Sequence, residues 1–124
     1  MRAVSDASAC LVARRGPRQD EKMRDLTMKA YVIAAETVND QAMFDVYRKE
    51  VPGTLVPFGG NFIARGGHLT ALEGEWPHPR LVIIEFPSRA AAEAWYGSDE
   101  YKKTISLRHK SSVGNLVIVD GAVD

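Results

Sequence analysis

The feature that most constrains the fold is a short apolar run between two prolines. Residues 81–86 read LVIIEF, and Pro79 and Pro87 flank them. A run of this length, rich in β-branched residues, is typical of a strand rather than a helix. Because side chains alternate across a strand and both faces are largely apolar, the run predicts a central strand covered on both sides. One carboxylate, Glu85, interrupts the apolar pattern.

A helix is predicted immediately after this strand. Ser88 is a favourable N-cap, and the alanines and Glu93 that follow it are strong helix formers. Gly97 is expected to end this helix, and Ser98 is expected to cap another. The stretch therefore predicts a buried strand, a sharp turn at Pro87 and Ser88, and a helix that starts at once.

The other apolar runs alternate between strand and helix patterns. We predict strands over residues 29–38, 61–65 and 115–120, a further short strand piece over residues 68–74, and a glycine, Gly114, opening the last strand. A helix with an apolar stripe is capped by Asn39 or Asp40 and ends at Gly59. Pro52 lies inside that helix and is expected to kink or interrupt it.

The order of these elements predicts the fold class. Strand, helix, strand, strand, helix, strand is the pattern of a ferredoxin-like α+β sandwich, with an antiparallel sheet and both helices on one face. Apolar residues on both faces of three strands would leave the other sheet face uncovered. Two-fold packing against a second copy would cover it, so the sequence predicts a homodimer through the open sheet face.

Composition bounds the class of protein. A chain of 124 residues, with 45% hydrophobic residues and a formal net charge of +0, is typical of one soluble globular domain. The balanced charge does not favour a nucleic-acid partner, and no apolar stretch approaches the roughly 20 residues that span a bilayer. The single Cys10 excludes a disulfide framework within the chain and a cysteine-based zinc site. A reducing cytoplasm is the simplest location.

Residues 1–27 differ from the remainder. They are rich in basic residues and alanine, and their apolar part is too weak for a signal-peptide core. We interpret them as a flexible or partly helical extension before a folded domain over residues 28–124. Two alternatives are open: translation begins at Met28, or the segment is a basic targeting sequence.

Several motifs together indicate a family. They are AYVIA at residues 30–34, the helix containing residues 47–52, GGxFxxRGG at residues 59–67, LEG at residues 72–74, and RLVIIEFPS followed by AWY and SDEY. In this order they resemble the domain-of-unknown-function family 1330, over residues 28 to about 121. The resemblance implies a ferredoxin-like fold of the dimeric α+β barrel type, and it implies no established activity. More distant relatives by fold include cofactor-free monooxygenases and muconolactone-isomerase-like enzymes, although a fold alone does not carry a function.

Glu85 is the predicted catalytic residue, and Arg65 is its predicted partner. A carboxylate in the covered space beside a sheet would act as a general base or acid. The alternative is that Glu85 forms a structural ion pair, and both interpretations are open. Arg65 precedes Gly66, where a strand bulge would re-aim its side chain, and its planar fork suits a carboxylate. The alternative for Arg65 is a solvated side chain. For Arg80 and Arg108 we expect surface roles.

Tyr47 and Tyr96 are the predicted substrate-binding aromatics, although aromatic residues at helical spacing more often belong to a core. No metal site is predicted, because His68, His78 and His109 lack the spacing of a compact site. No cofactor is predicted either, since the chain has no Walker loop, no dinucleotide GxGxxG after a strand and no GxSxG elbow.

Three functions are compatible with the sequence. The first is a small-molecule site between sheet and helices, with cofactor-independent proton transfer or oxidation of a small organic substrate. The second is a non-catalytic ligand-binding module that uses the same pocket. The third is a purely structural dimer.

Overall fold

A computed structural model describes residues 28–122. The helices and strands of this part are, in chain order, β1 (Ala30–Val38), α1 (Gln41–Leu55), a 3₁₀ turn (Val56–Phe58), β2 (Asn61–Arg65), β3 (Arg80–Phe86), α2 (Arg89–Tyr96), α3 (Asp99–Ser111) and β4 (Ser112–Asp120). The extension predicted over residues 1–27 lies outside the described residues. Within residues 28–122, no helix is long and apolar enough to cross a membrane.

The four strands form one antiparallel sheet in the order β2-β3-β1-β4. This order and the helix positions confirm the predicted ferredoxin-like α+β fold. The strand from the proline-flanked run, β3, lies beside β1 at the centre of the sheet, as its two apolar faces predict.

One face of the sheet packs on the helices and forms the core. Because side chains alternate, the even-numbered residues of β1 and β3 share this face, and Val32, Ile84 and Phe86 are buried there. Helices α1 and α2 contribute Phe44 and Trp95 to the same cluster.

The helix starts follow the predicted capping residues. Asp40, Ser88 and Ser98 precede α1, α2 and α3, and each side chain accepts a hydrogen bond from the backbone N–H three residues further on, at 3.1, 3.0 and 3.2 Å. After α1 and the 3₁₀ turn, Gly59 adopts a left-handed conformation at φ +73°, and the N–H of Gly60 donates to the carbonyl of Leu55. This Schellman-type ending confirms the predicted stop at the glycine pair.

Three expectations about the elements are wrong. Residues 68–74 form no strand, because β2 ends at Arg65 and Gly66 turns the chain away at φ +72°. β4 begins at Ser112 rather than near residue 115, and Gly114 lies inside it. A Cβ at Gly114 would lie 1.9 Å from the carbonyl oxygen of Ala35, so this glycine permits close strand approach and does not open the strand.

Pro52 does not interrupt α1. The helix runs continuously from Gln41 to Leu55 with the proline inside it. A proline lacks the N–H that would bond to the carbonyl four residues earlier, which belongs to Arg48. The carbonyl of Arg48 therefore lacks its helical hydrogen bond.

No helix of residues 28–122 packs on the other face of the sheet. This face presents the odd-numbered residues of β1, β3 and β4, of which Val113, Val117 and Val119 are 56%, 52% and 45% exposed. We call this surface, formed by Tyr31, Ile33, Ala35, Leu81, Ile83, Glu85, Val113, Asn115, Val117 and Val119, the open sheet face.

Candidate functional site

A cavity lies between the helix-facing side of the sheet and helix α1, and we call it the inner cleft. Its apolar wall comes from the strands and from α1, and its polar groups are charged or phenolic. The lining residues are Val32, Ala34, Glu36, Phe44, Tyr47, Arg48, Val51, Phe62, Arg65, Arg80, Val82, Ile84, Trp95 and Leu116.

The inner cleft is narrow. Its cavity volume is about 30 Å³, and the whole cleft has about 380 Å³ when the part open to solvent is included. A water molecule needs on the order of 10–15 Å³ by the first measure, so the cleft has room for about two waters. A wider depression of about 290 Å³, which we call the outer depression, shares Glu36, Phe44 and Arg80 with the cleft. The two spaces are therefore adjacent.

Glu36 is a buried carboxylate on the wall of the inner cleft. It occupies an even-numbered position of β1, on the same face as Val32, and is only 2% exposed. Its Oε2 accepts a hydrogen bond from Arg108 Nε at 2.8 Å, and its Oε1 lies 3.3 Å from Arg80 Nε. The second contact is ionic without hydrogen-bond geometry, since neither Oε1 nor Arg80 Nε has a hydrogen-bond partner within residues 28–122.

The expectation of a surface role is wrong for both arginines. Arg108 is only 7% exposed, and Arg80 keeps 17% of its side chain accessible. Burial alone would lower the pKa of Arg108, but the hydrogen bond and the negative charge of Glu36 outweigh it and raise that pKa. Glu36 therefore holds two guanidinium groups inside the domain.

Arg80 is positioned by three neighbours. Besides the contact with Glu36, its guanidinium lies over the ring of Phe44, 5.1 Å from the centroid. It also lies against Gly66, where a Cβ would come within 2.2 Å of Arg80 Nη1. Gly66 is therefore required both for its positive φ and for the space that Arg80 occupies.

Arg65 reaches the inner cleft because of a bulge in β2. The register shifts between Phe62 and Ala64, so Arg65 pairs with Val82 on the helix-facing side of the sheet. The bulge that the sequence predicted beside Gly66 lies within the strand instead. The side chain of Arg65 covers the ring of Phe62 at 4.2 Å from the centroid.

The carbonyl that Pro52 leaves without a helical donor is used by Arg65. Arg65 Nη2 donates to the carbonyl oxygen of Arg48 at 2.6 Å. The proline in α1 thus creates an acceptor at the edge of the cleft, and Arg65 occupies it. Partial burial, followed by the positive charges of Arg48 and Arg80, lowers the pKa of Arg65.

Of the two predicted binding tyrosines, only Tyr47 lines the inner cleft. Its hydroxyl is 2.8 Å from that of Tyr101, and burial raises the pKa of Tyr47, so the phenol stays protonated. Tyr96 is 41% exposed and packs at the edge of Trp95 and Tyr101. It does not line the cleft.

Glu85 lies on the open sheet face, away from the inner cleft. Its Oε2 is 3.4 Å from Lys29 Nζ and accepts a hydrogen bond from the hydroxyl of Tyr31 at 3.2 Å. It lines a separate depression of about 190 Å³ with Lys29 and Asn61. The structure therefore does not bring Glu85 and Arg65 together, and the contact with Lys29 matches the ion-pair alternative for Glu85.

Comparison with known proteins places the chain in a family. A family model described as a domain of unknown function, DUF1330, matches residues 29–122. The chain belongs to the DUF1330 family. The resemblance predicted from the sequence motifs is thereby confirmed, and no functionally curated protein matches the sequence.

Solved structures with low sequence identity share the fold of this DUF1330 protein. RPA0582 of Rhodopseudomonas palustris, a protein of unknown function, matches with a TM-score of 0.65, 14% identity, and coverage of 86% of this chain and 92% of its own. SnoaB of Streptomyces nogalater, a cofactor-independent oxygenase, matches with a TM-score of 0.56, 11% identity, and coverage of 79% and 97%. A candidate antibiotic biosynthesis monooxygenase of Caulobacter crescentus matches with a TM-score of 0.55, 16% identity, and coverage of 85% and 99%.

Sequence reasoning missed Glu36, Arg48 and Arg80 of the DUF1330 site. A signal for Glu36 was present, because alternation along AYVIAAETV places it on the same face as Val32 and Ala34. A carboxylate on a buried face requires a cationic partner from elsewhere in the chain. No local pattern identifies which arginines supply it.

Proposed function

We propose that this DUF1330 protein binds a small organic molecule in the inner cleft. The observation that carries the proposal is a partly open, mainly apolar cavity whose lining includes Arg65, Arg80 and Tyr47. Apolar walls with a few polar groups that fix orientation are the usual composition of a ligand site.

The chemistry proposed for this site is cofactor-independent proton transfer or oxidation of the bound molecule. The oxygenase from Streptomyces supports this class only by its shared fold. Within the described residues, Glu36 is the one carboxylate that lines the cleft, and both of its oxygens face guanidinium groups. This arrangement favours a role in holding the arginines over a role as the base.

Non-catalytic binding at the same site is the alternative function, and a specific observation favours it. The protonated hydroxyl of Tyr47 and the arginines are hydrogen-bond donors, which fix a ligand without supplying a base. Glu85 remains the predicted base only for a substrate that reaches the open sheet face. Glu85→Gln would then abolish turnover while ligand affinity stays the same.

A thermal-shift screen of the full chain against small metabolites tests the binding proposal. A ligand at about 100 times its Kd stabilises the folded state by roughly 2.7 kcal/mol. We expect the hits to lose their effect in Arg65→Gln and to keep it in Arg89→Gln, which removes the same charge on α2, outside the cleft lining. Hits that are insensitive to both substitutions, or the absence of any hit, would contradict the proposal.

We also propose that two copies associate through the open sheet face. Exposed valines of β4 and half-buried apolar residues of β1 and β3 form this surface, and Lys29 and Glu85 supply both signs of charge at its edge. A surface with both signs of charge is compatible with the self-complementarity that a two-fold interface requires. A second copy would bury the exposed valines, which otherwise lie in water.

A further inference from the structure

We infer that the ligand of the inner cleft is a small organic carboxylate whose carbon chain enters the cavity and whose charged end meets Arg65 and Arg80. This inference rests on the proposed function, since it names the chemical class that the same site accepts. It depends on three features of the described residues: an excess of positive charge, unused hydrogen-bond donors, and the shape of the cavity.

Positive charge exceeds negative charge in the cleft lining. Three arginines, Arg48, Arg65 and Arg80, line the cavity, and Arg48 is paired with Asp45 at 3.7 Å. Among the described lining residues the one carboxylate is Glu36. That carboxylate is already shared between Arg80 and Arg108, so it does not neutralise the remaining groups. Like charges held close together are relieved by an anion, which makes a negatively charged ligand the favourable occupant.

Arg65 and Arg80, the two lining arginines that lie on strands, have unused hydrogen-bond donors. Within residues 28–122, Arg65 uses one of its two terminal nitrogens, for the Arg48 carbonyl. Within the same residues, the Arg80 guanidinium donates no hydrogen bond. Its contact with Glu36 is ionic and lacks hydrogen-bond geometry. A guanidinium presents two parallel N–H groups that match the two oxygens of a carboxylate, which gives both strength and orientation.

The rest of the cavity accepts carbon rather than further charge. Val32, Val51, Val82 and Ile84 line its interior, and burying polar atoms against them without partners would be unfavourable. The cavity volume of about 30 Å³ has room for about two waters. A tail of about two or three carbons takes a similar space. A bulkier tail would extend into the outer depression, which Arg80 also lines.

A calorimetric and NMR titration of the full chain tests this inference. The probes are butanoate, hexanoate and benzoate, the three corresponding amides as neutral isosteres, and inorganic phosphate. We expect butanoate to perturb the amide signals of Val51 and Phe62 and to bind at least tenfold more tightly than butanamide. Arg65→Gln should weaken butanoate binding at least tenfold, whereas Arg89→Gln should leave it unchanged.

Arg80→Gln is a second variant, used only if its circular dichroism spectrum matches that of the wild type, because Glu36 loses a partner. Arg65→Gln alters an exposed residue and keeps the test valid on its own. Amides that bind the cleft as tightly as the acids would overturn the carboxylate inference and leave the proposed binding function intact. Phosphate binding without carboxylate binding, or no binding of any probe, would also overturn the inference, and the metabolite screen then decides the proposed function separately.

Discussion

At Glu36, one buried carboxylate meets two guanidinium groups from distant parts of the chain. Removing the carboxylate would leave Arg108 charged, 7% exposed and without its strongest partner. We expect Glu36→Gln to lower the free energy of unfolding by about 3 kcal/mol, in the range for breaking a buried ion pair from one side. Urea denaturation measures this change.

The exposed Glu93 provides the control for that experiment, because its pair with Arg89 lies in water. Exposed pairs contribute about 0–1 kcal/mol, so Glu93→Gln should change stability little. Equal losses in the two variants would contradict a structural role for Glu36. A stable Glu36→Gln variant that loses only a reaction would instead identify Glu36 as a base.

The phenols of Tyr47 and Tyr101 predict a loss of stability in alkali. Burial raises the pKa of both hydroxyls in the folded state. Their contribution is therefore complete below the unfolded value near 10 and decreases as the pH rises above it, because only the unfolded chain then releases the protons. For each tyrosine the slope is at most about 1.4 kcal/mol per pH unit, a limit approached only where the pH lies well above the unfolded pKa and well below the folded one.

Urea titrations at pH 9, 10 and 11 measure that slope. Tyr47→Phe should reduce it, and Tyr96→Phe, at an exposed position, should leave it unchanged. An identical pH dependence in the wild type and in Tyr47→Phe would show that other groups cause the alkaline loss.

At the scale of elements, Pro52 of α1 is connected to Arg65 of β2 through one carbonyl. Pro52→Ala would restore the N–H that bonds to the Arg48 carbonyl within the helix, and it would compete with Arg65 for that acceptor. We expect the helix to persist and the Arg65 guanidinium protons to exchange faster with water. Side-chain NMR of Arg65 measures this exchange.

Pro57→Ala is the matched control, since Pro57 occupies the start of the 3₁₀ turn and faces solvent. Unchanged Arg65 exchange in Pro52→Ala would mean that the proline does not position this side chain.

The elements were predictable to different degrees. Local signals located β1 and β3, because the apolar runs and their breakers act within a few residues, and they located all three caps. The irregular stretch after β2 and the early start of β4 depend on pairing across the sheet, which local signals do not contain.

The site was less predictable than the fold for the same reason. Arg65 and Tyr47 reach the inner cleft. Glu36 and Arg80, which also line it, come from neighbouring strands that only the folded sheet brings together. Glu85 was the predicted catalytic residue because it is a carboxylate in an apolar run. Its position in the alternation placed it with Leu81 and Ile83, and the sheet turns that face away from the helices.

At the scale of the whole molecule, the open sheet face predicts association. Val117→Glu would place a charge within the proposed interface, and a buried unpaired charge is unfavourable. We expect light scattering at micromolar concentration to give twice the mass of one chain for the wild type and the mass of one chain for Val117→Glu. Val46→Glu is the control, because Val46 is similarly exposed but lies on α1.

A monomeric wild type would contradict the homodimer, and a dimeric Val117→Glu would place the interface elsewhere. Neither result affects the inner cleft, since its lining residues lie on the opposite side of the sheet.

The central claim is that a small molecule binds between the sheet and α1. The most direct test is a ¹⁵N-HSQC titration of the full chain with the strongest hit of the metabolite screen, followed residue by residue. We predict perturbations centred on Val51, Phe62 and Arg65, which line the inner cleft. Perturbations centred instead on Lys29, Asn61 and Glu85, which line the separate depression, would contradict the claim. They would indicate that the ligand site contains Glu85.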